Sequence, residues 1–258
     1  MDKKRVFLKL SGEAIGCNYT DAEGKKKNFG FNEDTVRDVA RQVKEAVDSG
    51  VEIGVIIGGG NFWRGRTSDD IERTHADQIG MLATVMNCIY VSEIFRAAGI
   101  KTEIYTPFAV GTMTKLFSKD AANESFAQGK VVFFAGGTGH PYFSTDTGIA
   151  LRAIEMEADV ILLAKSIDGV YDSDPAINPD AKRYDVITME RVLDEQLKVI
   201  DLTATQMCYD NHKSLAVFDL RKENSISIAM KAFVGVDLKN EAEVKKLSES
   251  FDGTICIG

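Results

Sequence analysis

Three short turns carry the residues best suited to chemistry, and each directly follows a stretch that reads as a buried strand. They are Ser11-Gly12, Gly58-Gly59-Gly60-Asn61 and Gly136-Gly137-Thr138-Gly139. Glycines let backbone N–H groups approach phosphate oxygens closely, and in an open α/β sheet ligands bind at the carboxyl ends of the strands. One such cluster alone is equally well a tight strand-to-helix connection. Three at one sheet edge point instead to a nucleotide-phosphate crevice. Two familiar phosphate motifs are excluded. The Gly-Lys pairs beginning at Gly24 and Gly129 are followed by Lys26 and Val131, so no P-loop is present. The dinucleotide fingerprint fails at Trp63, where its third glycine should stand.

Charged side chains flank these turns. Lys9 interrupts the apolar run Val6–Leu10 just before Ser11-Gly12. A lysine there either snorkels from an edge strand or meets an anion at the strand end. The neighbouring backbone donors favour the anion, with the ammonium neutralising charge on a moving phosphoryl group. Arg64, beyond Gly60, has the reach and donor fork for phosphate; with Arg66 it could equally form a solvated loop pair. Asp146 stands at a helix start, where a carboxylate commonly serves the cap and the dipole. Its closeness to the run Gly137–Thr145 adds a functional reading. Asp168, Asp172 and Asp174 could ligate a metal, although an acidic turn usually only solubilises. His75, His140 and His212 lack metal-ligand spacing, so no metal is assigned to histidine. Trp63 beside Phe62 reads as packing, with base stacking the lesser alternative.

The elements that must position these residues alternate. Strands are expected at Val6–Leu10, Val51–Ile57, Ile100–Tyr105, Lys130–Ala135, Asp159–Ala164, Leu215–Leu220 and Gly253–Ile257. Helices are expected from Asn32 to Gly50, Asp77 to Ala98, Ser118 to Gln128, Thr145 to Met156, Glu190 to Gln196 and Asp201 to His212. That rhythm predicts an α/β fold with a mainly parallel sheet and helices on both faces. Pro175 and Pro179 mark a long irregular connection beyond Lys165. The segment Gly16–Gly30, with Tyr19 and Phe29, reads as an exposed hairpin.

With 258 residues and 44% hydrophobic content the chain can bury a full core, and a net charge of −8 argues against general attraction to nucleic acid. Cys17, Cys88, Cys208 and Cys256 are scattered, which suggests neither a zinc cage nor a disulfide framework and fits a reducing, cytoplasmic setting. No signal-peptide pattern opens the sequence, and continuous apolar runs fall far short of the ~20 residues a membrane span needs.

Taken together, the motifs resemble the bacterial UMP kinases of the amino-acid kinase family over essentially the whole chain. The matching segments begin with Leu8-Lys-Leu-Ser-Gly-Glu13, Ile57-Gly-Gly-Gly-Asn61 with Arg64-Gly65, and Asp77 with Gly80-Met-Leu-Ala-Thr-Val-Met-Asn87. They continue with Gly137-Thr-Gly-His-Pro-Tyr-Phe-Ser-Thr-Asp146, Glu157-Ala-Asp-Val160, Asp168-Gly-Val-Tyr171 with Asp174-Pro175, and Leu197-Lys-Val-Ile-Asp201. The first two are widespread among carbamate, acetylglutamate and aspartate kinases, whereas the Gly80–Asn87 and Thr138–Asp146 runs are closer to UMP kinase alone.

The resemblance implies a three-layer α/β/α sandwich in one amino-acid kinase domain over 1–258, with a UMP lobe roughly over 1–160 and an ATP lobe roughly over 161–258. It implies transfer of the γ-phosphoryl group of ATP to UMP in pyrimidine nucleotide synthesis, with Mg2+ carried by ATP. Lys9, Leu10, Ser11, Gly12, Gly60, Arg64, Lys165, Tyr171 and Asp174 would hold ATP. Gly59, Asp77, Thr138, Gly139, His140, Pro141, Tyr142, Phe143, Ser144 and Thr145 would hold UMP. Lys9 and Asp146 would be the catalytic pair. A homohexamer inhibited by UTP is implied as well. Ile15–Phe31 is longer and more basic than the loop with which family members shape a GTP effector site, so GTP is expected to activate weakly or not at all. Rival readings are another phosphotransferase of the same fold and a nucleotide-sensing protein that performs no transfer.

Overall fold

Parallel strands rich in branched side chains need helices against both faces. That is what residues 4–63, 71–197 and 200–258, the ones described by the computed structural model, build. In chain order the elements are β1 (Arg5–Leu10), β2 (Cys17–Thr20), β3 (Lys26–Phe29), α1 (Glu33–Asp48), β4 (Glu52–Ile57), α2 (Arg73–Ala97), β5 (Thr102–Thr106), β6 (Lys115–Leu116), α3 (Lys119–Ala127), β7 (Val131–Phe134) and α4 (Thr145–Glu155). They continue with β8 (Val160–Lys165), β9 (Val170–Tyr171), β10 (Arg183–Tyr184), β11 (Val186–Thr188), α5 (Met189–Asp194), α6 (Leu202–Asp210), β12 (Leu215–Asp219), α7 (Ser225–Phe233), α8 (Glu241–Ser250) and β13 (Thr254–Ile257).

Nine strands form one sheet in the order β11-β13-β12-β8-β1-β4-β7-β5-β6. Every neighbouring pair is parallel except β12 with β13. The strand carrying Lys9 is therefore the central one. Alternation along it sends Val6, Leu8 and Leu10 into a core shared with α1, α2, α7 and α8, and Phe7 into a core shared with α3 to α6. By the same parity Lys9 faces the α4 side, as does Lys165 at the end of β8. The expected three-layer α/β/α architecture is what the chain adopts.

The segment expected to be a hairpin is one. β2 and β3 pair antiparallel from Cys17 opposite Phe29, and Tyr19 and Phe29 are exposed. Phe29 meets the Phe62 ring edge-on at 5.2 Å, Phe62 meets Phe31 at 5.3 Å, and Phe31 stacks on Tyr90 of α2 at 3.8 Å. An aromatic file thus connects the hairpin to α2.

Several boundaries differ from the sequence expectation. α2 begins at Arg73, ahead of Asp77, because the Glu72 carboxylate accepts from the Thr74 N–H at 3.1 Å and caps it. This helix is also long and apolar enough to cross a membrane by length and composition, which a search for continuous apolar runs overlooks. Its inner face, with Val85, Cys88, Val91 and Phe95, is buried against the sheet, as in a core helix. Cys88, Cys208 and Cys256 are core residues whose thiols burial pushes upward, away from nucleophilic chemistry.

The segment between β12 and β13, left without elements by the sequence pattern, contains α7 and α8. For α7 the reason is physical. Its N-cap Asn224 sits at φ 54 and makes no side-chain capping bond. The Ile226 and Ser227 N–H groups are instead accepted by Gln42 Oε1 of α1, at 2.8 and 3.0 Å. Gln42 is only 1% exposed. Replacing it by alanine strands two buried donors, so Gln42→Ala is expected to cost about 1–3 kcal/mol of unfolding free energy, read from urea denaturation. A loss below about 0.5 kcal/mol would show that α7 does not depend on this contact.

Candidate active site

β1, β4 and β7 are parallel neighbours, so the three glycine turns that follow them emerge side by side at one sheet edge. They also interlock. A Cβ on Gly12 would stand 2.3 Å from the Gly58 carbonyl oxygen and 2.8 Å from the Gly60 nitrogen, so a side chain there is barred by backbone. Gly136 and Gly137 follow at φ 81 and 59, a region that favours glycine.

Lys9 is not on an edge strand, which removes the snorkelling reading. Its ammonium is paired with Asp146 Oδ1, and the two side chains are 11% and 18% exposed. Asp146 does not cap α4. That task falls to Ser144, whose Oγ accepts from the Asp146 N–H at 2.9 Å and leaves the carboxylate to Lys9. At the end of β8, burial lowers the Lys165 pKa, the charge of Asp146 opposes that shift, and the charge of Lys9 adds to it. Two lysine charges and one carboxylate thus act on one another beside the glycine turns.

Asp201, the last residue of a motif noted in the sequence but given no role, supports this arrangement. Its carboxylate caps α6 by accepting from the Ala204 N–H at 2.9 Å. It also accepts the Ser144 hydroxyl and, at 3.0 Å, the Thr147 hydroxyl. One side chain therefore joins the N-termini of α4 and α6. Lys198 and Val199 of the same motif lie outside the described residues.

Two clefts flank the Lys9–Asp146 pair. A cavity of about 160 Å3 is lined by Gly59, Asp77, Thr138, His140, Phe143, Ser144 and Thr145 from the expected UMP set. Gly139, Pro141 and Tyr142 belong to the same loop without lining the cavity. Tyr142 sits at φ 72, and its N–H donates to Asp77 Oδ2 at 2.7 Å. Arg73 Nε donates to the same oxygen at 2.8 Å, and the Arg73 guanidinium lies 5.1 Å over the Tyr142 ring. Asp77 therefore fastens the Tyr142 turn as well as facing the cleft. Trp63, Arg73 and Thr84 also line this cavity, and sequence reasoning did not place them there. Thr84 lay inside a quoted motif, and Arg73 precedes the helix start expected from periodicity.

The second cavity, about 350 Å3, is lined by Lys165, Tyr171 and Asp174 of the expected ATP set, together with Glu195, Leu197 and Val217. Lys9, Leu10, Ser11, Gly12 and Gly60 line neither cavity. They belong to β1 and the turns after β1 and β4, and β1 lies between β8, which carries Lys165, and β4, which leads to Gly59. Arg64 lies outside the described residues. The acidic turn is occupied with its own loop: Asp168 pairs with Arg183 at 2.9 Å and accepts from Tyr171 at 2.7 Å, and Asp172 accepts from the Lys182 N–H at 3.0 Å. Among the described residues no three His, Cys, Asp or Glu side chains gather as metal ligands. The largest described cavity, about 820 Å3, opens beside Lys4 and Val160 at the starting ends of β1 and β8, and no expected site residue lines it.

This edge, with interlocked glycine turns, a buried lysine–carboxylate pair and a cleft on each side, suits transfer of a phosphoryl group between two bound molecules. The model of the amino acid kinase family matches residues 4–219. The chain belongs to the amino acid kinase family. It is thus a phosphotransferase by kind. Among solved structures, a UMP kinase from Ureaplasma parvum is 31% identical over 100% of both chains, with a TM-score of 0.83. A UMP kinase from Bacillus anthracis is 28% identical over 98% of this chain and 96% of its own, with a TM-score of 0.81. A uridylate kinase from Archaeoglobus fulgidus, 21% identical over 97% of this chain and 99% of its own with a TM-score of 0.65, shares the fold.

Proposed function

We propose that this amino acid kinase transfers the γ-phosphoryl group of ATP to UMP, giving ADP and UDP, as a step of pyrimidine nucleotide synthesis in the cytoplasm. The observation that carries the reading is the Lys9–Asp146 pair standing between two clefts, one of them walled by the Thr138–Thr145 loop. Likeness to two UMP kinases over nearly the full chain supports the choice of acceptor. In this reading ATP lies along Lys165, Tyr171 and Asp174 with its phosphates over Lys9–Gly12 and Gly60, reached by Arg64. UMP fills the smaller cleft. The lobe of residues 1–160 then serves UMP and the lobe of 161–258 serves ATP, meeting where β1 pairs with β8.

The chemistry asked of the protein is modest. A UMP phosphate oxygen, already ionised near neutral pH, attacks the γ-phosphorus as the bond to the β-bridging oxygen breaks, and no general base is demanded. Lys9 and Lys165 offset negative charge as it moves between the phosphates, and Asp146 holds Lys9 in line. Magnesium enters with ATP and supplies further charge neutralisation on its phosphates. Asp146, beside both lysines, is the carboxylate placed to meet the water shell of that ion.

Assembly and effectors belong to the same reading. Ile79, Leu82, Met86 and Ile89 form an exposed apolar stripe at helical spacing along α2, with Glu72 near one end and Arg96 near the other. Two copies pairing these helices antiparallel would cover the stripe and match the end charges, a contact from which a homohexamer can grow.

UMP is expected to be phosphorylated at least about tenfold better than CMP by kcat/KM, a preference that needs only ~1.4 kcal/mol of differential binding. Equal use of both in a coupled assay with ATP and magnesium would reject the assignment. In the same assay Lys9→Ala, folded by thermal melting, is expected to lose on the order of 10²–10³ in kcat. Retention of turnover near that of the unsubstituted protein would remove Lys9 from the mechanism. UTP, sharing the uracil, is expected to inhibit, and GTP to activate weakly or not at all, since the β2–β3 hairpin replaces the loop that reads it in relatives. Initial rates at subsaturating UMP decide this, and several-fold activation by GTP would overturn it. Light scattering on the same samples reads the assembly, and a monomer at micromolar concentration would exclude the α2 contact.

A further inference from the structure

α2 walls the acceptor cleft, and its inner face also holds the glycine turns. Asn87 is fully buried, and its side-chain amide donates to the Gly58 carbonyl at 2.6 Å and to Asn61 Oδ1 at 2.7 Å. Asn61, 1% exposed, returns a bond from Nδ2 to Asn87 Oδ1 at 3.0 Å. The same Asn61 amide donates to the Gly30 carbonyl at 2.8 Å, and the Gly30 N–H donates to the Asn61 carbonyl at 3.2 Å. Thr84, one helical turn before Asn87, accepts from the Gly136 N–H at 2.8 Å and donates its own hydroxyl to the Met81 carbonyl at 2.7 Å. Two side chains of one helix face thus fix the opening peptide of two different turns. Buried amide pairs with every bond made are rigid, because the alternative is an unsatisfied group in a low-dielectric interior.

We propose that Thr84 and Asn87 are positioning residues for the acceptor nucleotide: together they set the spacing between the Gly58–Gly60 and Gly136–Gly139 turns that receive it. Asn87 does so without reaching the cleft, through Gly58 and Asn61. Thr84 does so through the Gly136 amide. The inference rests on the acceptor cleft assigned above. It also gives the hairpin ending at Gly30 a direct mechanical link to the phosphate turn, by way of Asn61. An acceptor bound between the two turns would feel their separation directly, whereas ATP in the proposed reading meets only the Gly60 end of one of them and none of the Gly136–Gly139 turn that Thr84 holds.

Thr84→Val keeps the volume and removes the accepting oxygen, Thr84→Ser keeps the oxygen, and Asn87→Ala removes the second anchor. Thr84→Val is expected to raise the KM for UMP by about tenfold or more while the KM for ATP stays within about twofold, and Asn87→Ala, where it folds, to raise the KM for UMP by more than that for ATP. Thr84→Ser is expected to remain within about threefold of the unsubstituted protein in both. A parallel rise in both KM values, or a serine variant as impaired as the valine one, would show a merely structural role and overturn the proposal. Hydrogen exchange at the Gly136 amide supplies a readout that does not depend on which nucleotide is bound. It is expected to accelerate in Thr84→Val and not in Thr84→Ser, and an unchanged rate in Thr84→Val also overturns the proposal. Should the unsubstituted protein fail to phosphorylate UMP while Gly136 exchange responds as expected, the substrate assignment falls and the positioning role stands.

Discussion

An ammonium group in the central strand of a buried sheet is the constraint around which the rest of this structure is arranged. Taking Lys9 out of water is costly unless an anion meets it, and Asp146 meets it from the first turn of α4. That requirement fixes the rotation of α4 about its axis and its height over β1. It also means that the helix cannot use Asp146 as its own cap. Ser144 takes that place, and Asp201 holds Ser144 and Thr147 while capping α6. A chain of polar contacts thus runs from the sheet centre to the layer of helices covering it. Buried ion pairs contribute little net stability compared with apolar packing, so the arrangement is better explained by the chemistry it permits than by the stability it adds.

The second constraint is the closeness of the glycine turns. Gly12 stands so near Gly58 and Gly60 that the first and second turns form one surface, and the register of β1 with β4 decides whether they fit. α2 then fixes that surface from outside the sheet through Asn87 and Thr84. Its opposite face presents the apolar stripe. A single helix therefore lies between the glycine turns and an exposed apolar face, with the aromatic file from Phe29 to Tyr90 joining the hairpin to it.

Much of this was legible in the sequence because it is written locally. Apolar runs halted by small-residue turns announced β1, β4 and β7, and the paired glycines with exposed aromatics announced the β2–β3 hairpin. Lys9 and Asp146 were recognisable from the motifs around them. What was hidden depends on partners distant in sequence. α7 is capped by Gln42 from across the fold, so its start carries no local cap signal. The tie that Asp201 makes between α4 and α6 exists only once those helices pack. Arg73 stayed hidden because α2 begins before its apolar periodicity does, and Thr84, although inside a quoted motif, because its bond with the Gly136 amide joins residues distant in sequence. The double duty of Asp77 follows from the positive φ of Tyr142, which a sequence does not display.

A chain with a net charge of −8 that is to bind two polyanions, as proposed, has to concentrate its cations. It does so at a point where solvent is largely excluded. Burial lowers the Lys165 pKa, and the charge of Lys9 lowers it further, while Asp146 works the other way. Burial and the Lys9 charge leave the Lys165 ammonium short of counter-charge, whereas Asp146 already supplies part of it. The two lysines repel each other and are poorly solvated, and the charge of one carboxylate acts on both. In the proposed reading, phosphate oxygens would supply the missing negative charge and move the Lys165 pKa back toward its ordinary value, so occupation would relieve a tension already present. In the proposed reaction the relief would be greatest where charge accumulates between donor and acceptor, so the cations that let two polyanionic nucleotides approach would also stabilise the moment at which a phosphoryl group lies between them.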